Sequence, residues 1–317
     1  MGKAKNTLLG LLLGASSLLS SPNVVERQIG WEGHYIKPIS TPITVNNGHA
    51  WFGAGNTLHA VDARSGLDVL SEETGENPLP AGMTENFNVR SIVHADIDED
   101  PEKETIVALG DGRVSLYDLK EGKYENTKIK VAKKILGGAA VINKTIVVTG
   151  YDGKVFGLGK KGWEFDTEDL IYGRPVVAKD KVLVATDRGL LYCLNSQGKV
   201  QWKQRYSELY SAGSWRINVT PYVRDGMVVM NSLQNLNTRS GMKTFDLETG
   251  IEGETLHERI MFDGFDLDSE RIFKEHRKQF MKKVKALRKK KDSLLQVGEH
   301  ENVLFYGTKN GLVGIIQ

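Results

Sequence analysis

The sequence predicts an all-β fold, a six-bladed β-propeller, and three observations support this prediction. The first is a unit of two strands and two glycine-containing turns that recurs six times along the 317 residues. The second is its spacing of roughly 40 to 50 residues, which suits four short strands better than a pair of helices. The third is the content of 34 glycines in 317 residues, about 11%. This share is above the usual share of about 7% and indicates many tight turns.

The six copies have the pattern of β-hairpins. In each copy, alternating apolar residues are interrupted by a dipeptide such as Asp-Gly, Arg-Gly or Asn-Gly, which tolerates a positive φ at a hairpin turn. The copies begin at Gly48, Glu104, Lys144, Lys181, Gly226 and Asn302. The residues at the predicted turn position are Asn56, Gly112, Gly153, Gly189, Gly241 and Gly311.

A further strand that contains tryptophan follows the second glycine turn of some copies, as at Trp163 and Trp202. The last copy stops on its third strand, and the segment 24–31 near the start resembles the missing outer strand. We therefore expect the two ends of the chain to pair and close the ring, because closure removes exposed sheet edges. This organisation makes residues 22–317 a single propeller domain, with a helical insertion at 262–293.

Composition limits the classes of function and site. With 40% hydrophobic and 26% charged residues the chain is expected to fold, and its net charge of +2 predicts no bulk attraction to nucleic acid. Its single cysteine, Cys193, excludes an intrachain disulfide and any zinc or iron–sulfur site built from several thiolates.

The repeat resembles a known family. The repeat consists of a strand, an Asp-Gly turn, a strand that ends Leu116-Tyr117-Asp118-Leu119, a glycine turn and a Val-x-Trp strand. This order is similar to the pyrroloquinoline-quinone (PQQ)-type propeller repeat. Quinoprotein dehydrogenases and an outer-membrane-assembly scaffold share this repeat. The resemblance covers roughly residues 24–258 and 294–317 and implies the propeller fold. Such dehydrogenases carry an adjacent pair of cysteines over the cofactor, and because this chain has one cysteine we expect no PQQ.

An acidic loop precedes the second hairpin and predicts a calcium site. Counted from Asp96 as position 1, the loop has acidic residues at positions 1, 3, 5 and 9, and the backbone carbonyl of Glu102 is available at position 7. Several hard oxygens can therefore converge on one Ca²⁺. The loop resembles the calcium loops of FG-GAP propeller repeats, although Pro101 replaces their usual glycine. A solvated acidic turn is the alternative. The predicted ligands are Asp96, Asp98, Asp100, Glu102 and Glu104.

A basic amphipathic helix is predicted within residues 266–292, because apolar residues recur there at a spacing of 3.6. It has three interpretations: packing on the propeller rim, docking on a membrane surface or docking on a protein partner. We do not expect nucleic acid here, since aromatic residues are not interleaved with the lysines. The residues predicted for docking are Lys282, Lys283, Lys285, Arg288, Lys289, Lys290 and Lys291.

Four cations recur in the segments that lead into the first strand of a repeat. Such segments surround one mouth of a propeller, and guanidinium groups at a concave opening can bind carboxylate or phosphate in two-point fashion. The alternative is scattered surface charge. The predicted ligand-binding residues are Lys37, Arg90, Arg174 and Arg216.

The sequence predicts export and no catalysis. Residues 1–21 have the layout of a secretory signal, with a retained N-terminal anchor as the alternative, so we expect a secreted, cell-surface or periplasmic protein. No zinc-protease motif, nucleophile elbow or phosphate loop is present. The favoured function is a non-catalytic binding or assembly scaffold, and the alternative is an enzyme that acts on a polyanionic or carbohydrate substrate at the channel mouth. Three acids that recur at one repeat position are expected to accept hydrogen bonds from turn amides: Asp62, Asp118 and Asp246.

Overall fold

A computed structural model describes the greater part of the chain. The residues described are 32–35, 38–75, 88–98, 100, 102–120, 122–207, 220–232, 241–253, 294–300, 303–308 and 312–316. Within these ranges the chain forms 23 strands and no helix, which confirms the predicted all-β class. The predicted leader, residues 1–21, and the predicted helical insertion, 262–293, lie outside the described residues.

The first three sheets each contain four antiparallel strands that pair in chain order. Sheet 1 consists of β2 (Thr44–Asn46), β3 (His49–Ala54), β4 (Thr57–Asp62) and β5 (Asp68–Glu73). Sheet 2 consists of β6 (Val89–Ala95), β7 (Glu104–Leu109), β8 (Arg113–Lys120) and β9 (Lys123–Lys130). Sheet 3 consists of β10 (Ile135–Ile142), β11 (Thr145–Gly150), β12 (Lys154–Leu158) and β13 (Trp163–Asp166).

Sheets 4 and 5 also pair their strands in chain order, and sheet 6 joins β1 to the last three described strands. Sheet 4 consists of β14 (Val176–Ala178), β15 (Lys181–Ala185), β16 (Leu190–Asn195) and β17 (Val200–Arg205). Sheet 5 has three strands, β18 (Tyr222–Arg224), β19 (Met227–Ser232) and β20 (Gly241–Asp246). Sheet 6 has the order β1-β23-β22-β21 and consists of β1 (Glu32–His34), β21 (Leu294–His300), β22 (Val303–Thr308) and β23 (Leu312–Ile316).

Hairpin turns occur where the sequence predicts them in sheets 1 to 4. Gly112 shows why glycine is needed there: its φ is +89°, and a Cβ atom on it would lie 2.0 Å from the carbonyl oxygen of Ala132. The prediction is wrong at Gly241, which is the first residue of β20, because the connection from β19 occupies 233–240. Gly311 lies outside the described residues.

The core lies between consecutive sheets. Sheets 1 and 2 enclose one buried apolar cluster, which includes Trp51 and Tyr117, and sheets 2 and 3 enclose another. Further clusters lie between sheets 3 and 4 and between sheets 4 and 5. The second strands are the most deeply buried, and β7 is buried at every position. Sheets 2, 3 and 4 therefore each pack both of their faces against neighbouring sheets, as blades do.

Tryptophan side chains on the fourth strands of sheets 3 and 4 donate hydrogen bonds to the following sheet. The indole N–H of Trp163 on β13 donates to the carbonyl oxygen of Ser196 at 3.0 Å, and that of Trp202 on β17 donates to the carbonyl oxygen of Leu247 at 3.0 Å. Both acceptors belong to the turn after the third strand of the next sheet. The predicted fourth strand thus supplies a contact between sheets in addition to an outer edge.

The first strands of the sheets contact one another in order. Contacts join β21 to β2, β2 to β6, β6 to β10 and β10 to β14. The N-terminal strand β1 pairs with β23 through Glu32↔Gly314 and Gly33↔Val313. The segment predicted to make this pairing, 24–31, lies outside the described residues, and the pairing strand in the structure is β1.

Candidate functional site

The antiparallel order gives the sheets two ends with different character. One end, here the hairpin end, carries the turns at 110–112, 151–153 and 186–189 together with the segments that lead into the first strands. The other end, here the loop end, carries the connections between first and second strands, which include the acidic loop 96–103. The predicted calcium ligands lie at the loop end, and the two predicted mouth cations that the structure describes, Arg90 and Arg174, lie at the hairpin end.

The acidic loop is organised around its own backbone. The amide N–H of Asp100 donates to Asp98 Oδ1 at 3.0 Å, and that of Glu102 donates to Asp100 Oδ1 at 3.1 Å. The first strand residue after the loop, Glu104, accepts a hydrogen bond at Oε2 from the amide of Ile97 at 2.7 Å. Glu104 is only 3% exposed, whereas Asp98 and Glu102 are exposed.

Two groups of three carboxylates form here, and they share Asp98. Asp96, Asp98 and Glu104 can each place one oxygen within 4.8 Å of the others, and so can Asp98, Asp100 and Asp118. Glu102, the fifth predicted ligand, belongs to neither group. The structure thus brings together four of the five predicted residues and adds one from strand β8.

Asp118 is the member that the sequence analysis missed. It was predicted to accept from turn amides, as Asp62 and Asp246 do, whose Oδ1 atoms accept from the amides of Ser65 at 2.7 Å and Thr249 at 2.8 Å. The prediction is wrong at Asp118, because its Oδ1 atom is buried without a hydrogen-bond partner. The available signal was the period of two, which places Asp118 on the same face of β8 as Val114 and Leu116, which pack in the cluster between sheets 2 and 3.

Two lysines already neutralise part of this charge. Lys144, from the first turn of sheet 3, lies 3.1 Å from Asp96 Oδ1 and also donates to the carbonyl oxygen of Asp98. Lys120, on β8 itself, lies 2.9 Å from Asp118 Oδ2. Both ammonium groups are about half exposed, so these contacts are screened by solvent.

Glu104 is the most perturbed carboxyl of the loop. Its burial, followed by the nearby negative charges of Asp98 and Asp100, raises its pKa, although the hydrogen bond from the Ile97 amide opposes this. Because the pKa is higher in the folded chain than in the unfolded chain, ionised Glu104 is unfavourable in the fold. Its contribution to stability is therefore greatest below its unfolded pKa and is lost as the pH rises through its folded pKa.

We expect the variant Glu104→Gln, in the presence of a chelator, to be more stable than the wild type at pH 7 and equally stable at pH 3. Glutamine keeps an acceptor for the Ile97 amide and carries no charge. Urea denaturation at both pH values measures the difference. A variant that is less stable at pH 7 would contradict the assigned direction of the Glu104 pKa.

The two described mouth cations lie at the hairpin end. Arg90 is half-buried on β6 at a break in the pairing with β7 between Val89 and Ser91, which is the position of a β-bulge. Arg174 is exposed and precedes β14. A Cβ atom on Gly138 would lie 2.5 Å from Ser91 Oγ and 3.8 Å from Arg174 Cβ, so the two segments approach each other across β10.

The remaining predicted binding residues belong to segments outside the described part of the chain. Lys37 and Arg216 lie outside the described residues, and so do the docking residues Lys282, Lys283, Lys285, Arg288, Lys289, Lys290 and Lys291. The described ranges contain no helix that is long and apolar enough to cross a membrane.

Buried histidine and cysteine side chains at the described positions serve packing. His59 stacks on Phe52, and burial lowers its pKa to about 4 against the opposing influence of Asp68. Both ring nitrogens of His94 lie within hydrogen-bond distance of threonine hydroxyls. Cys193 is fully buried, and this burial raises the pKa of its thiol to about 12, so the thiolate is disfavoured.

Comparison with known proteins agrees with the repeat pattern. Residues 147–259 match the family model described as outer membrane protein assembly factor BamB. The chain carries the PQQ-like β-propeller repeat. The resemblance predicted from the sequence is thereby confirmed, over the part of the chain that the family model matches.

Solved structures extend the likeness in fold. BamB from Moraxella catarrhalis superposes with a TM-score of 0.53 at 15% identity, over 88% of this chain and 83% of that one. A europium-containing methanol dehydrogenase matches 38% of this chain and 24% of its own length, at 19% identity and a TM-score of 0.32. No curated protein sequence matches the chain significantly.

Proposed function

We propose that this protein is an exported, non-catalytic, six-bladed β-propeller that serves as a scaffold for a protein partner. The likeness to an outer membrane assembly factor supports a role in protein assembly, and the predicted leader supports export. The observation that carries the proposal is the paired contact of sheet 6: its strand β23 pairs with β1, and its first strand β21 contacts β2 of sheet 1.

These contacts favour a closed ring of six blades. The first strands contact one another from sheet 6 through sheet 4, and sheet 5 packs on sheet 4 through Val228 and Phe245. With sheet 6 built from both ends of the chain, an opening of the ring would break strand pairing as well as side-chain packing. A ring closed in this way is stiff, which suits a protein that holds others in position.

The hairpin end is the surface that we propose for the partner. Strand β6, which carries Arg90, and the segment that carries Arg174 approach the same strand, β10, near Gly138. An acidic segment of a protein would meet guanidinium groups there, and a carboxylate can accept two parallel hydrogen bonds from one such group. The partner class is therefore a protein with an exposed acidic segment.

Photo-crosslinking tests this function directly. A photo-reactive amino acid at position 174 is expected to give one discrete crosslinked protein in the producing cells. The same amino acid at position 160, an exposed residue in the turn between β12 and β13 at the loop end, is the control. Equal crosslinking from both positions, or none from 174 with a folded chain, would contradict a partner surface at the hairpin end.

The charge requirement is tested in the same cells. The pair Arg90→Gln and Arg174→Gln should reduce the crosslink from a probe at position 152, an exposed residue in the turn 151–153 at the hairpin end, at least tenfold, since both changes remove positive charge from one surface. Lys160→Gln is the matched control and should leave the crosslink unchanged.

A further inference from the structure

The carboxylates at the loop end include two buried oxygens that nothing in the described structure satisfies. Glu104 Oε1 and Asp118 Oδ1 are both buried and have no hydrogen-bond partner. Glu104 as a whole is 3% exposed, and the side chain of Asp118 is 15% exposed. Buried carboxylate oxygens normally accept hydrogen bonds or bind a cation, because water cannot solvate them there.

Both oxygens belong to carboxylates that face Asp98. Glu104 is grouped with Asp96 and Asp98, and Asp118 with Asp98 and Asp100, with one oxygen of each residue within 4.8 Å of the others in its group. Two oxygens on opposite sides of a Ca²⁺ ion lie about 4.8 Å apart, since each calcium–oxygen bond is about 2.4 Å. The spacing within each group therefore allows its three carboxylates to share one ion.

The two lysines do not contact the buried oxygens Glu104 Oε1 and Asp118 Oδ1. Lys120 contacts Asp118 at Oδ2, the opposite oxygen from the buried Oδ1. Lys144 contacts Asp96 Oδ1 and the carbonyl oxygen of Asp98. The cluster of five carboxyl groups (Asp96, Asp98, Asp100, Glu104 and Asp118) is therefore paired with only these two ammonium groups among the described residues.

The chemistry of the donors selects the class of cation. Every candidate ligand atom is a carboxylate oxygen, and hard oxygen donors favour Ca²⁺ or Mg²⁺ over zinc and copper. The ligands come from a loop and from a separate strand, so an ion that accepts variable geometry and six to eight ligands fits better than one that demands a regular octahedron. Calcium is that ion.

We propose that Asp118 of β8, together with Asp98 and Asp100 of the acidic loop, binds one Ca²⁺ ion, and that Glu104, which is grouped with the same Asp98, supplies a further oxygen. The loop by itself does not complete the site. Binding joins the connection between the first and second strands of sheet 2 to its third strand, so the ion stabilises this blade. The site is independent of the proposed partner surface, which lies at the opposite end of the sheets.

Calorimetric titration of the full chain, after removal of metals with a chelator, tests the site. The wild type is expected to bind one Ca²⁺ per chain, and Asp118→Asn is expected to weaken this binding at least tenfold. The control is Glu125→Gln, which removes an equal charge from another residue that contacts Lys120 but that belongs to neither carboxylate group. The control should bind within twofold of the wild type.

Several outcomes would overturn the proposal. One is the absence of calcium binding by the wild type at about 10 mM, since extracellular calcium modules saturate at or below roughly that concentration. Another is equal affinity in Asp118→Asn, which would leave the loop as the whole site. Equal weakening by Glu125→Gln would indicate diffuse attraction. If Asp118→Asn does not fold, Asp118→Glu, which keeps the charge but moves the carboxylate by one methylene group, provides the same comparison.

Discussion

Replacement of Gly137 by alanine is expected to destabilise the protein by about 3 kcal/mol or more, because there is no room for a Cβ atom. That atom would lie 1.9 Å from the carbonyl oxygen of Gly173 and 2.6 Å from the backbone nitrogen of Arg174. Both neighbours are backbone atoms, so no rotation of a side chain can relieve the overlap. The first strand of sheet 3 would have to move away from the segment that leads into sheet 4.

Urea denaturation followed by tryptophan fluorescence measures this effect. Gly162→Ala is the matched control, because a Cβ atom there meets its nearest neighbour, the carbonyl oxygen of Gly157, at 3.4 Å. Gly162 is exposed, and its replacement should change stability by no more than about 0.5 kcal/mol. Similar stabilities for the two variants would contradict the close approach of β10 to the next sheet.

Replacement of Trp202 by alanine should lower the free energy of unfolding by about 3 to 5 kcal/mol, the usual range when a large aromatic residue is removed from a core. Trp202 is 8% exposed and packs in the cluster between sheets 4 and 5. Its ring lies against Gly250, where a Cβ atom would approach within 2.7 Å, and its N–H donates to the carbonyl oxygen of Leu247. The change therefore removes packing and a hydrogen bond between two blades.

Two further variants separate these contributions. Trp202→Phe keeps most of the apolar volume and loses the hydrogen bond, so it should lower the free energy of unfolding less than Trp202→Ala does. The lost hydrogen bond should account for about 1 kcal/mol of that decrease. Gln201→Ala changes the adjacent, exposed residue and should stay within about 0.5 kcal/mol of the wild type. If Trp202→Ala behaves like Gln201→Ala, the indole does not join the two sheets.

The repeat was predictable because its signals are local. Glycine at Gly112, Gly153 and Gly189 meets a requirement for positive φ within a turn of a few residues, and the apolar alternation on either side follows from the pleat of each strand. The same criterion gave a wrong prediction at Gly241. A glycine before an apolar run has the same local pattern whether it lies in a tight hairpin turn or begins a strand after a longer connection.

The candidate calcium site was predictable only in part. The spacing of Asp96, Asp98 and Asp100 along one loop is visible in the sequence, and so is the acid at Glu104. Asp118 is separated from the loop by the whole of β7 and a turn, and its position beside Asp98 depends on how three strands pair. The partial neutralisation by Lys144 depends on a neighbouring sheet.

The order of the residues was sufficient for the all-β class, the repeat and its likeness to PQQ-type propellers, because hairpin turns and strand periodicity are properties of neighbouring residues. The packing of the sheets was needed to show that β1 joins β23, that Trp202 contacts the next sheet and that Asp118 faces the acidic loop. These features bring together residues that are distant in the chain. Their proximity depends on register and on packing between sheets, which no local pattern specifies.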